Sequence, residues 1–290
     1  MPESRASSAR SRFQPDPRSR LRLTDRDRKL ICDVFLHRAM TRLQIQTLFF
    51  GSLSRCNLRL RMLYDHGYLA RHFPPEAPYG AQAAYTAGKA AAELVARSLE
   101  MDETEVIRLC REDPPSYLAH TLAVVEWRLA LQKAVAQDDD LTLDLWLPEL
   151  RCRHAYEMRT PPGRGGPAWR EQVFKPDAFF RLALRSTGEL RSYFVEIDLG
   201  NTSTRRFEEK VQAHEQYLAC GLFREMYDGG AFQTLVITTG PLRRRNLLEI
   251  ARGQRSRLFR FCTWEDVRSD RLLEPVWFEP DRPEPVALAR

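Results

Sequence analysis

Two short stretches with the residue content of buried strands carry carboxylates near their middles. Phe174-Lys175-Pro176-Asp177-Ala178-Phe179-Phe180 and Tyr193-Phe194-Val195-Glu196-Ile197-Asp198-Leu199-Gly200 are rich in the aromatic and β-branched residues that suit strands. Side chains alternate along a strand. Tyr193, Val195, Ile197 and Leu199 therefore share one face, while Glu196 and Asp198 project together from the other. Two anions side by side on a half-buried sheet repel each other unless a cation joins them. Two solutions are open: a divalent metal held by Asp177 and Glu196 with Asp198 nearby, or ion pairs with the chain's many arginines.

A chain of 290 residues can bury a sizeable core, and its length suits two domains. Hydrophobic residues at 43% with charged residues at 29% are those of a soluble globular protein, and no apolar run approaches the roughly 18 residues of a membrane span. The N-terminus lacks the apolar stretch of a secretory signal, so a cytoplasmic location is expected. Six cysteines lie far apart with no metal-binding or redox spacing, which predicts free thiols. Charge is unevenly placed. Residues 1–99 hold 17 Lys/Arg against 8 Asp/Glu, or +9, and the remaining 28 against 31 give −3. A basic first third suits a polyanion, and nucleic acid is the leading candidate.

Residues 1–21 mix Arg, Ser and Pro with little that is apolar, which predicts a disordered basic arm. Thr24 and Asp27 then open a helix with an apolar stripe at Leu30, Ile31, Val34 and Phe35. A second helix spans about Thr41 to Phe49, and Gly51 breaks it. The third is expected to carry Leu58, Leu60, Met62 and Leu63 inside and Arg55, Asn57, Arg59 and Arg61 outside, ending in a glycine cap at Gly67. Tyr68–Phe73, a turn over Pro74–Gly80, and Ala83–Thr86 predict a hairpin, followed by a fourth helix from Lys89 to Arg97. Acidic residues 100–116, ending in Asp113-Pro114-Pro115, read as a linker. From Tyr117 to about Gln137 the chain predicts a buried helix, and strands and helices alternate to Cys262 in the order helix, strand, strand, strand, helix, strand, helix, strand. Residues 159–170 are expected to be a loop, and the proline-rich tail an unstructured one.

Three helices and a hairpin, within residues 22–99, resemble the winged helix-turn-helix domains of bacterial regulators. That resemblance places the third helix in the DNA major groove and the hairpin on the backbone. It assigns Arg55, Asn57, Arg59, Arg61 and Arg71 to DNA contact, with some at bases and others at phosphates. The αβββαβ order, with Pro176-Asp177 on the second strand and Glu196-x-Asp198 on the third, resembles the PD-(D/E)xK nucleases. Both parts together, over about residues 22–265, resemble the replication-relaxation family of plasmid and mobile-element proteins. The fold class expected is α+β: a winged helix followed by a nuclease-like α/β domain with a mixed sheet at 117–275, the linker at 100–116 between them and a tail at 276–290.

What the resemblance implies is a DNA-binding protein of replication or relaxation type. Its partners would be double-stranded DNA and plasmid replication or transfer proteins, without a membrane and with homodimerisation left open. Its catalytic set, if active, would be Asp177, Glu196, Asp198 and Lys210, with Mg²⁺ on Asp177 and Glu196. Position 198 departs from the pattern, which has a lysine there. Lys210, His214 and Tyr217 recur at i, i+4 and i+7, one stripe of a helix from Thr202 to Cys220, so Lys210 could serve as a relocated lysine. The alternative is a non-catalytic DNA-binding initiator or regulator with an inactive nuclease-like domain.

Overall fold

A computed structural model describes residues 14–17, 20–73, 83–111, 117–159 and 169–289. The chain divides into two units, Met1–Leu122 and Ala123–Arg290.

In the first unit, helix α1 (Asp25–Leu36) opens on a capping box. Thr24 accepts from the Asp27 backbone, and the Asp27 carboxylate accepts from Thr24 N at 2.7 Å. Its stripe of Leu30, Ile31, Val34 and Phe35 is fully buried. A two-residue strand β1 (Met40–Thr41) leads into α2 (Arg42–Phe49), which repeats the device with Thr41 and Gln44. Helix α3 (Leu53–Asp65) buries Cys56, Leu60, Leu63 and Tyr64. Strands β2 (Leu69–His72) and β3 (Ala84–Ala87) close a three-stranded antiparallel sheet in the order β1-β3-β2. The turn expected over Pro74–Gly80 lies outside the described residues. Gly67 has a left-handed backbone (φ 73°) after α3, and a Cβ on Gly88 would meet the Gly67 carbonyl oxygen at 2.2 Å. Both turns therefore require glycine. A 3₁₀ turn and α4 (Ala92–Leu99) follow.

The second unit is built on a five-stranded mixed sheet, β10-β9-β8-β7-β4. Strands β4 (Leu141–Pro148), β7 (Ala178–Leu184) and β8 (Leu190–Ile197) are antiparallel neighbours. The strands β9 (Gln233–Thr238) and β10 (Phe259–Thr263) continue it in parallel from β8. On one face Tyr193, Val195 and Ile197 pack with Val124, Trp127 and Leu131 of α6 (Leu118–Ala136), inside which the division between units falls. On the other face lie α8 (Thr204–Ala219), α9 (Leu222–Tyr227) and α10 (Pro241–Gly253), covering Phe194, Val236 and Phe261. A short helix α7 (Glu149–Cys152) follows β4, and α11 (Trp264–Arg268) follows β10.

The structure differs from the sequence expectations in several places. Leu58 is 63% exposed, because α3 places Cys56, Leu60 and Leu63 inward and position 58 falls on the opposite side. Where a linker was expected, residues 103–111 form helix α5 (Glu103–Arg111), burying Val106 and Cys110. The acids that read as linker are its start signals: Asp102 Oδ1 accepts from Glu105 N at 2.8 Å. Within the expected basic arm, residues 14–17 lie against α3, with Asp16 N donating to Asp65 Oδ1 at 2.9 Å. Phe174 and Ala178 do not share a strand. A separate antiparallel ribbon of β5 (His154–Arg159) and β6 (Trp169–Phe174) ends before Pro176, so Asp177 stands in a turn. The tail is packed: Trp277 bridges Val286, Phe278 bridges Phe261, and Leu288 is fully buried. Its widely spaced apolar residues were hidden among prolines.

Candidate functional site

Asp177, Glu196 and Asp198 converge at one end of β7 and β8. Ala178 pairs with Val195, so the turn residue Asp177 reaches across to the end of β8 and its Oδ2 accepts from Ile197 N at 2.7 Å. Glu196 and Asp198 project toward α8 and α10, as alternation requires, and are 2% and 4% exposed. Carboxylates so buried need compensation. Glu196 has two partners from α8: Lys210 Nζ contacts Oε2, and His214 Nε2 donates to Oε1 at 2.8 Å. The far nitrogen of His214, Nδ1, lies 2.8 Å from Thr234 Oγ1 of β9. A carboxylate only accepts, so Nε2 carries a proton, and the Thr234 hydroxyl fixes the other side of the ring. The edge of Phe174 against the ring (4.7 Å, 81°), together with Phe194 and Phe259, keeps this pair in an apolar surround.

Asp198 is closed by a different cation. Arg243 of α10 forms a fork, Nε to Oδ2 at 2.8 Å and Nη2 to Oδ1 at 2.9 Å, and Thr238 adds a bond at 2.7 Å. Burial alone would raise the Asp198 pKa, but these bonds and the guanidinium charge outweigh it and hold the carboxyl below its ordinary value. For Lys210, burial would lower the pKa; Glu196, Asp177 and Asp198 together overcome this and raise it. Lys210 therefore stays an ammonium and supplies positive charge rather than acting as a base. Cys152 of α7 lies beneath the site, its Sγ 3.9 Å from Pro176 O. Complete burial, then the charges of Glu149, Asp177 and Glu196, push its thiol well above the ordinary range, so it is inert as a nucleophile.

Of the five residues expected on DNA, Arg55 and Asn57 are exposed on α3. Arg59 is turned inward: Nε donates to Asp27 Oδ1 at 2.8 Å, Nη2 contacts Oδ2, and Nη2 also donates to Arg22 O at 2.7 Å. Asp27 is fully buried, so this pair is structural. Arg61 is held by Asp65 at 2.9 Å and by Gln14 O at 3.0 Å. Arg71 lies over the Tyr64 ring at 4.4 Å and the Phe73 ring at 5.5 Å. The open face of α3 thus carries Arg55, Asn57 and Leu58 rather than a row of four polar residues.

The family model for replication-relaxation matches residues 33–231, which takes in α3 and the turn, strand and helix that hold Asp177, Glu196 and Lys210. The chain belongs to the replication-relaxation family. No curated protein and no solved structure matches it. Arg243 and the whole of α10 lie beyond the part that the family model covers.

In this family member the donor set does not fit a divalent ion as arranged. Both Glu196 oxygens are engaged by α8, and Asp198 is given over to Arg243. Among the described residues no group of three or more His, Cys, Asp or Glu side chains is placed to hold a metal. Also among them, no helix is long and apolar enough to cross a membrane. Sequence reasoning brought Lys210 and His214 to the site through their helical spacing. It missed Arg243, Thr234, Thr238 and Cys152, which reach the site from distant segments with no periodic link to it.

Proposed function

We propose that this replication-relaxation protein binds double-stranded DNA through its first unit, and that its second unit is a PD-(D/E)xK-like scaffold that does not cut. The observation that carries the reading is the outward face of α3, where Arg55 and Asn57 stand exposed beside a three-stranded antiparallel sheet in the most basic part of the chain. A winged helix uses that helix in the major groove and its hairpin on phosphates. The case against cutting is the closure of the acids: Lys210 on Glu196 and Arg243 on Asp198 supply within the chain the positive charge that a metal would otherwise bring, and His214 takes up the second Glu196 oxygen by a hydrogen bond.

Fluorescence anisotropy with labelled duplex across a salt series tests the binding. The double variant R55A/N57A is expected to weaken it and to lower the slope of log K against log salt by about 1, the share of one lost phosphate contact. Unchanged affinity and slope would remove α3 as the reading helix. A second reading, Mg²⁺-dependent nicking with Asp177, Glu196 and Lys210, is favoured by one contact: the Lys210 ammonium sits on Glu196, as a relocated lysine would. Supercoiled plasmid incubated with Mg²⁺ or Mn²⁺ separates the two. Wild-type nicking that disappears in D177A or E196A would establish the second.

A further inference from the structure

Helix α10 begins Pro241-Leu242-Arg243-Arg244-Arg245, and successive residues of a helix point about 100° apart. The three arginines therefore face three ways. Arg243 goes inward to Asp198. The Arg244 guanidinium carbon lies over the Phe278 ring, 3.7 Å from its centroid, with Asp266 4.0 Å away. Arg245 is exposed and has no hydrogen-bond or ion-pair partner among the described residues. Arg252, two turns further along the same side, donates to Pro280 O at 2.8 Å and pairs with Glu249. From the packed tail Arg282 approaches with Glu279 at 3.4 Å.

Arg244, Arg245, Arg252 and Arg282 line one cleft of about 500 Å³ between α10 and the tail. Four of its lining residues are arginines and one, Glu249, is an acid, although residues 100–290 as a whole carry −3. The cations are spaced along a helix instead of being clustered at one point, and most have donors to spare: a guanidinium has five N–H groups, and Arg252 commits few of them. Arg244 is held in place by Phe278, so it loses little freedom on meeting an anion. A row of guanidinium groups along an open cleft, three held by neighbours and Arg245 without a partner among the described residues, suits a chain of phosphates better than a single small anion.

We propose that the cleft between α10 and the tail is a second DNA contact, one that grips the sugar-phosphate backbone without reading bases. The proposal rests on the DNA-binding reading above and adds to it a site in the other unit, outside the residues that the family model matches. Arg244 and Arg252 form its held floor, and Arg245 and Arg282 are its exposed contacts.

The test uses the full chain and labelled duplex of random sequence, with R245E/R282E beside R55A. Arg282 is 64% exposed and Arg245 is exposed, so the double variant is expected to keep the wild-type melting temperature. Its affinity should fall by roughly tenfold or more at low salt and its salt slope by about 2, uniformly across sequences. The neutral pair R245Q/R282Q should show a smaller loss in the same direction. If R55A weakens binding while R245E/R282E matches wild type, the cleft is no DNA site and the reading of α3 stands. A wild type that binds no duplex overturns both. Binding of poly-glutamate that R245E/R282E abolishes, with duplex binding intact, would assign the cleft to an acidic protein segment and overturn the proposal.

Discussion

Helices α3 and α10 look alike in composition, each a short arginine-rich run with leucines between, yet they use their charge by the same division of labour in two unrelated settings. In α3, Arg59 turns in to the buried Asp27 while Arg55 faces out. In α10, Arg243 turns in to the buried Asp198 while Arg245 faces out. A count of arginines therefore overstates the charge available to a partner. What decides is whether a buried carboxylate lies within reach on the inner side, and that depends on residues 32 positions away in the first case and 45 in the second.

The inward pairs carry the largest expected effect. Arg59→Ala strands Asp27, a fully buried anion, and removal of one partner from such a pair costs about 3–5 kcal/mol. Urea denaturation should show the loss, and any fall in DNA affinity should follow the unfolded fraction. Arg243→Ala should act likewise but less, about 2–3 kcal/mol, because Arg243 is the more exposed of the two inward arginines at 23% against 15%. An Arg243→Ala protein as stable as wild type would show that Asp198 has another counter-ion.

Acid titration gives a smaller and shared effect. For Asp27 and Asp198 alike, burial by itself would raise the pKa, but bonds from Arg59 and Thr24 in one, and Arg243 and Thr238 in the other, leave it lowered. The stability each adds is complete above the unfolded value of about 3.9 and is lost as pH falls through the lower folded value. Asp27→Asn and Asp198→Asn should therefore each flatten the acid limb of a stability-against-pH curve, and an unchanged limb would show that the pair adds nothing. The outward residues should matter least to stability: Arg55→Ala is expected to change it by less than about 0.5 kcal/mol, with its effect confined to DNA affinity.

Local signals made much of this legible beforehand. The capping residues Thr24 and Thr41, the apolar stripe of α1, the hairpin strands and the alternation around Glu196 all act over a few residues, so the sequence displays them. The site's acids and its α8 stripe could be named for the same reason. The sequence does not set the helix phase at Leu58, because alternating Leu and Arg suits more than one rotation. The ribbon of β5 and β6, the packed tail and the fork on Asp198 depend on pairings between distant segments, for which no periodicity exists.

Asp27 holds both the first turn of α1, through Thr24, and the middle of α3, through Arg59. Helix ends usually fray independently of their neighbours. Here the opening of α1 at its start would release Arg59 as well, so amide exchange in that turn should be slow and should quicken together with exchange across α3. One carboxylate thus ties the presentation of the outward face of α3 to the start of α1.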